Sequence, residues 1–476
     1  MKAVWAAGLA CAAAITASPL RSQTVENTLA VATATKVDAA AAAVLSTTGV
    51  PSASLAIVQG GKITYAKAYG EARLEPKMAA EPQMQYSIGS VSKQFTAALI
   101  LLLTQDGKLK LDDPVGKYLP TLTRANDITI RQVLSMTSGY QDFWPEDYVM
   151  TSMMKPADPQ KILDGWARKP LDFEPGTEWQ YSNTNYVVAG RIAEIVGGKP
   201  LTDQLQERIF QPLKMTGVFN SDASRLPPND PTGYYQHALG PLRPAPQEGQ
   251  GWMFAAGELA MPASDLARWN ISIMNRSLLS AASYEEMFTE VKLKNGKGSE
   301  YGLGVQVGTI NGHRYIEHSG EVSGFVSENL VLPDDKVAIT VLTNEDASSA
   351  AGAIRRKIMP LVLESTTPAA ASNSATAAAE KRALEIFTGL QNGQLDRSQL
   401  TPLCDAYFTP EAIADFASSL KPLGAPDSFK QAVEEKRGGM TFRVFNLTFA
   451  DKRVRVTTYE EPDGKLEQYL VIPSVN

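Results

Sequence analysis

Ser90 and Lys93 stand three residues apart at the head of a strongly apolar run, Phe95 to Leu103. Residues three apart share a helix face, so the lysine amine can reach the serine hydroxyl and take its proton. A helix N-terminus adds unpaired N–H groups and partial positive charge. Both favour a developing oxyanion and depress the pKa of a nearby ammonium. Two other pairs, Ser152 with Lys155 and Ser418 with Lys421, share the spacing. Pro156 disfavours helical backbone at Lys155, and Pro422 with Gly424 marks a helix end after Ser418. Only Ser90 opens a long buried helix, although taken alone it also fits an ordinary N-cap serine.

Tyr181-Ser182-Asn183 is the only Tyr-x-Asn among 16 tyrosines. A tyrosine beside a lysine ammonium can shuttle protons, and an asparagine two residues on can hold a substrate carbonyl or the lysine. The alternative is a buried tyrosine followed by a helix cap at Asn183 or Asn185. His318-Ser319-Gly320 follows the strand-like Tyr315-Ile316-Glu317. Glycine there lets a substrate backbone lie close along the strand. An N–H near Glu321 can complement that of Ser90 in an oxyanion hole. The alternative is a strand-end histidine in a turn. Trp144, Tyr148, Trp166, Trp179 and Trp252 are candidates for an apolar substrate wall.

These residues need elements to hold them. At 476 residues the chain exceeds one ordinary core and implies two domains. Helix Ala350–Glu364 closes a first region that opens with an Ala-rich helix at 25–48. A hairpin follows, with strands at 53–59 and 62–69 joined by Gly60-Gly61. Helical segments run to about residue 285, and strands return at 302–310, 313–316, 327–332 and 337–343. Strands at both ends with helices between them imply one sheet built from the two extremities, a helical lobe, and a site at their seam. Residues 364–379 read as a low-complexity linker. Beyond it come helices at 380–392 and 410–420 and three strands near 440–450, 453–460 and 465–472, a small α+β domain of unassigned role.

A net charge of −6 with no basic block speaks against nucleic acid as a partner. Met1-Lys2, an apolar run to Ala17 and small residues beyond describe a signal peptide over 1–22. Cleavage is read after Ser22, with Ala17 the other small-residue site. The run is short for a transmembrane span, so the mature chain is expected to be periplasmic or secreted, without a transmembrane helix. Cys11 lacks the leucine a lipobox places three residues earlier. Removing the leader leaves Cys404 as the sole cysteine. Three histidines (His237, His313, His318) have no partner at metal-ligand spacing. His237 and His313 read as surface or strand residues without catalytic duty. No metal or other cofactor is expected.

Together the three motifs resemble the serine β-lactamase and penicillin-binding-protein superfamily, and in particular the class C β-lactamase-like hydrolases that include D-alanyl-D-alanine carboxypeptidases, D-aminopeptidases and esterases. Supporting phrases are Ile128–Leu134 running into Thr137-Ser138-Gly139, Phe173–Gly176, Ala255-Ala256-Gly257, Ser264–Trp269 and Tyr301–Gly304. The resemblance covers residues 30–360. It implies an α+β, two-lobe fold (an antiparallel sheet flanked by helices plus a helical lobe) over 23–363, followed by the separate 380–476 domain. It also implies Ser90 as the acylated nucleophile, Lys93 and Tyr181 sharing acid–base work, and Asn183 orienting substrate and Lys93. His318, Gly320 and Glu321 would contact substrate, with His318 in place of the β-lactamase lysine. A neutral histidine supplies no fixed positive charge, and Glu321 follows it, so uncharged esters or amides suit the site better than β-lactams. The expected substrate is a small ester, amide or D-amino-acid peptide. D-Ala carboxypeptidase, D-aminopeptidase and β-lactamase activities stay open, as does a sensor that acylates without turnover. The C-terminal domain could then carry a protein partner.

Overall fold

The computed structural model describes residues 27–363, 377–450 and 452–474. The expected signal peptide and linker residues 364–376 lie outside them.

Strands Ser52–Gln59 and Lys62–Leu74 form the expected hairpin. Its turn residues Gly60 and Gly61 have φ of +58° and +74°, backbone that a two-residue hairpin turn needs and that glycine adopts freely. On its other edge Ser52–Gln59 pairs antiparallel with Val337–Thr343, so segments almost 300 residues apart meet in mid-sheet. The full order is Lys77–Ala79, Lys62–Leu74, Ser52–Gln59, Val337–Thr343, Phe325–Leu332, His313–Val322 and Gln306–Ile310. Successive side chains of a strand point to opposite faces. Leu55 and Ile57 therefore pack beneath helices Val31–Thr48 and Ala350–Val362. Ala56 and Val58 join the larger core that holds the Ser90 helix. Burial on both faces is why the central strands read as unbroken apolar runs.

The Ser90 motif folds as a 3-10 turn, Gly89–Ser92, leading into helix Lys93–Gln105. Every residue of that helix from Lys93 to Leu103 is buried, which accounts for its lack of a polar face. Gly107 stops it at φ +70°. Helix Asn183–Gly197 opens on the last residue of the second motif and ends on Gly198 in the left-handed region. The third motif lies inside strand His313–Val322, with His318 paired to Asn329 and Gly320 to Ser327. The strand-end turn alternative is thereby excluded.

Two expectations need correction. His237 is neither a surface nor a strand residue; it is buried in a bend, its Nδ1 3.2 Å from the Tyr407 hydroxyl. The C-terminal sheet has four strands rather than three: Ser428–Arg437, Met440–Thr448, Arg453–Glu460 and Leu466–Pro473, in sequential antiparallel order. Helices Ala377–Gln391 and Pro410–Leu420 pack Phe387, Leu390, Phe416 and Leu420 against its Phe445, Leu447 and Val456. This sheet sits on the helical lobe beside the first motifs. The Asp147 N–H donates to Gln468 Oε1 at 2.7 Å, and Gln468 Nε2 returns a 3.0 Å bond to Asp147 Oδ2. Arg243 pairs with Asp415 at 2.6 Å.

Among the described residues no helix is long and apolar enough to cross a membrane.

Candidate active site

Lys93 is fully buried and its Nζ makes three contacts of 2.8 Å, to Ser90 Oγ, Asn183 Oδ1 and the Ala256 carbonyl. Burial holds its pKa well below the ordinary lysine value; Asp142 and Glu258 oppose the shift and Arg437 reinforces it. Two of the contacts run to acceptors that only receive hydrogen bonds. In its neutral form the amine keeps both N–H groups satisfied and turns its lone pair to the serine O–H. That is the geometry of a general base for Ser90.

Asn183 is the first residue of its helix, and its N–H, one of the donors a helix start leaves unpaired, is met by Asp142 Oδ1 at 2.8 Å. Its side-chain amide donates to the Trp144 carbonyl at 2.9 Å, which leaves Oδ1 facing Lys93. Tyr181 precedes the helix, with its ring 5.1 Å from Lys93 Nζ. Its hydroxyl is buried without a completed hydrogen bond. Burial pushes this phenol above its ordinary pKa, while Ser90 and Arg437 offset part of the rise.

Strand His313–Val322 closes the opposite side. A Cβ on Gly320 would come within 2.0 Å of the Ile88 carbonyl oxygen, and one on Gly89 within 2.7 Å of the Glu321 nitrogen. Two glycines thus let the strand lie against the serine turn and bring the Glu321 N–H beside it, the partner an oxyanion hole requires. His318 Nδ1 is 2.5 Å from the Ser319 carbonyl and its Nε2 2.9 Å from the Tyr301 hydroxyl. A carbonyl only accepts, so Nδ1 carries the proton and Nε2 receives the tyrosine O–H. Burial, with Lys93 adding to it, pushes the imidazole down to about 3, so His318 is neutral. Glu321 departs from expectation: burial beside Asp147 and Asp346 pushes it well above the usual carboxylate range, which favours its uncharged form.

The cavity over Ser90 has a volume of about 490 Å³ and is lined by Tyr181, Asn183, His318 and Gly320. Trp144, Tyr148, Trp179 and Trp252 supply its aromatic wall. Trp166 instead packs against Phe143 and Trp252 from behind. The remaining wall comes from the C-terminal sheet, where Arg437, Phe442 and Tyr459 face the same space. Three residues of this surrounding were missed in the sequence: Asp142, Glu258 and Arg437. The first two sit in short motifs that carry no spacing signal. Arg437 precedes Gly438-Gly439, a two-glycine turn of the kind that marks the 52–74 hairpin.

The chain belongs to the Beta-lactamase family, whose description matches residues 35–363. Among its relatives is Protein flp of Staphylococcus aureus (strain N315), 29% identical over 306 residues, which are 62% of this chain and 60% of that protein. The chain thus matches about 60% of the length of that relative. A D-stereospecific amidohydrolase from Streptomyces sp. is 26% identical with a TM-score of 0.59 over 70% of this chain and 99% of its own. An octameric penicillin-binding protein homologue from Pyrococcus abyssi, at 20% identity and a TM-score of 0.60, shares the fold over 92% of this chain and 99% of its own.

Proposed function

We propose that this protein is an exported hydrolase that cleaves small esters and amides through an acyl-enzyme on Ser90. The observation that carries the reading is the buried Lys93 amine, 2.8 Å from Ser90 Oγ and held on its other sides by Asn183 and Ala256.

In the first step the Ser90 oxygen bonds to the substrate carbonyl carbon, and the carbonyl π pair moves onto its oxygen under the Ser90 and Glu321 N–H groups. The serine proton goes to Lys93, whose depressed pKa makes it the neutral base. Tyr181, with its raised pKa, stays a phenol at neutral pH. It is suited to pass its proton to the leaving alcohol or amine as the carbonyl re-forms and the C–O or C–N bond breaks, and to take the proton held on Lys93 in return, so that phenol and neutral amine are both restored. Water then repeats the sequence on the acyl-enzyme and frees the acid.

A preference for substrates without a free carboxylate is supported by the neutral His318 and by Arg437, whose charge is taken up by Asp142 and Asp147 at 3.6 and 3.7 Å. Amides of D-amino acids are the second reading, favoured by the likeness to the D-stereospecific amidohydrolase. The domain division after residue 363 and the leader at 1–22 belong to this proposal as well. Steady-state assays of a p-nitrophenyl butyrate, a D-amino acid amide, a D-Ala-D-Ala peptide and a cephalosporin, each with wild type and Ser90→Ala, test it. Ser90-dependent turnover ranked ester or amide first is the expected result. A cephalosporin rate equal to the ester rate overturns the preference, and a stoichiometric burst without turnover turns the reading to a sensor.

A further inference from the structure

The hairpin tip of the C-terminal sheet reaches the active site. Arg437 ends strand Ser428–Arg437 and forms an isolated parallel bridge with Tyr181. Its guanidinium lies 5.2 Å from the Tyr181 ring centroid, within cation–π range. Arg437 Nε is 3.6 Å from Asp142 Oδ2, a carboxylate with no exposed side-chain surface, and Nη1 is 3.7 Å from Asp147. Nη1 also donates to the Tyr459 hydroxyl at 2.8 Å, and Nη2 approaches the Trp144 carbonyl at 3.5 Å. The turn is built for this approach. Gly438 and Gly439 have φ of +59° and +78°, and a Cβ on Gly438 would already press on Pro145 at 3.0 Å.

We propose that Arg437 is a positioning residue of the active site, through which the C-terminal sheet fixes Tyr181 and neutralises Asp142. The matched family region ends at residue 363, so this cation comes from outside it. The inference rests on the reading of Ser90 as an activated nucleophile. Asp142 holds the Asn183 N–H, and Asn183 holds Lys93. An uncompensated Asp142 carboxylate would favour the lysine's charged form, which cannot accept the serine proton. Arg437 opposes that from above while its face supports the tyrosine ring. The charged and titratable groups acting on Lys93 and Arg437 are Asp147 from the 142–147 loop, Glu258 through its effect on Lys93, Tyr186 with its ring centroid 5.6 Å from Lys93 Nζ, and Glu321 and His318 from the central sheet. Glu435 and Tyr459 complete the set from the C-terminal sheet.

The test measures the rate at which a fluorophosphonate labels Ser90, as a function of pH, in the full chain carrying Arg437→Gln or Arg437→Lys. Labelling forms the Oγ–P bond, expels fluoride and sends the serine proton to the base, so it reports nucleophile activation whatever the natural substrate. Removing the positive charge raises the lysine's pKa and moves the acid limb to higher pH. For Arg437→Gln the expected result is labelling about tenfold to a hundredfold slower at neutral pH, with the acid limb displaced upward by about one pH unit. Arg437→Lys keeps the charge but not the fork. It is expected to hold the limb within about 0.3 unit while labelling roughly threefold to tenfold slower. A glutamine variant with the wild-type rate and profile overturns the inference. If that variant does not fold, a lysine variant labelling at the wild-type rate overturns it equally. Wild type that is not labelled at Ser90 removes the nucleophile reading itself, and is thereby distinguished from a failure confined to Arg437.

Discussion

Asn183 Oδ1 accepts a 2.8 Å hydrogen bond from Lys93 Nζ across 90 residues of chain, and both side chains are buried. The contact joins the start of one helix to the start of another. It fixes the amine in the direction of Ser90, because the Ala256 carbonyl occupies its other donor.

Replacing Asn183 by alanine removes an acceptor from a buried amine and a donor from the Trp144 carbonyl. Loss of such a bond to a group that can carry charge costs about 1.5–3 kcal/mol. The expected outcome is a lower melting temperature and a kcat reduced about tenfold to a hundredfold with KM less affected. Paired kinetics and thermal denaturation check it.

Buried carboxylates give the fold a defined pH response. Burial raises Glu258 and Asp346 to about 8 and Glu248 to about 7. Unfolded carboxyls lose their protons near pH 4. Between those values the native state binds more protons than the unfolded state, so stability falls as pH rises. Melting temperature is therefore expected to decline from about pH 5 to pH 9. Glu258→Gln should flatten part of that slope, measured by melting curves over the range.

Glu258, raised to about 8, is uncharged at neutral pH and below, so the same substitution leaves the charge around Lys93 unchanged there. The acid limb of Glu258→Gln activity is expected to stay where it is, in contrast to the upward displacement expected for Arg437→Gln. A pH–rate profile on a simple ester reads it directly.

Gly320 leaves no room for a methyl group, since its Cβ would meet the Ile88 carbonyl oxygen at 2.0 Å. Gly320→Ala must push strand His313–Val322 away from the serine turn and widen the space between the two oxyanion donors. A stability loss of about 1–3 kcal/mol is expected, with kcat falling about a hundredfold, as for loss of one oxyanion donor. Denaturant titration and kinetics separate the two effects.

Much of this was legible because it rests on local chemistry. The Ser90 helix announced itself by an apolar run with a glycine stop, and the central hairpin by Gly60-Gly61. What stayed hidden depends on contacts between distant segments. Strand Ser428–Arg437 is mostly exposed and reads Gln-Ala-Val-Glu-Glu-Lys-Arg near its end, without the alternation that marks a half-buried strand. Its turn, Gly438-Gly439, has the same positive φ pair as Gly60-Gly61 and was the available signal. Asp142 and Glu258 gain their meaning only from Asn183 and Lys93, which no spacing in the chain relates to them. Glu321 illustrates the same limit: the sequence gives a carboxylate, and burial among Asp147 and Asp346 decides its charge.

The most direct test of the account is peptide-mapped mass spectrometry of wild type, Ser90→Ala and Lys93→Met after brief reaction with an activated acyl ester. The predicted result is one acyl group on the Ser90 peptide of wild type, none on Ser90→Ala, and acylation of Lys93→Met slowed about 10²- to 10⁴-fold, the range for loss of a general base. An acyl group on another residue, or wild-type acylation in Lys93→Met, would contradict it.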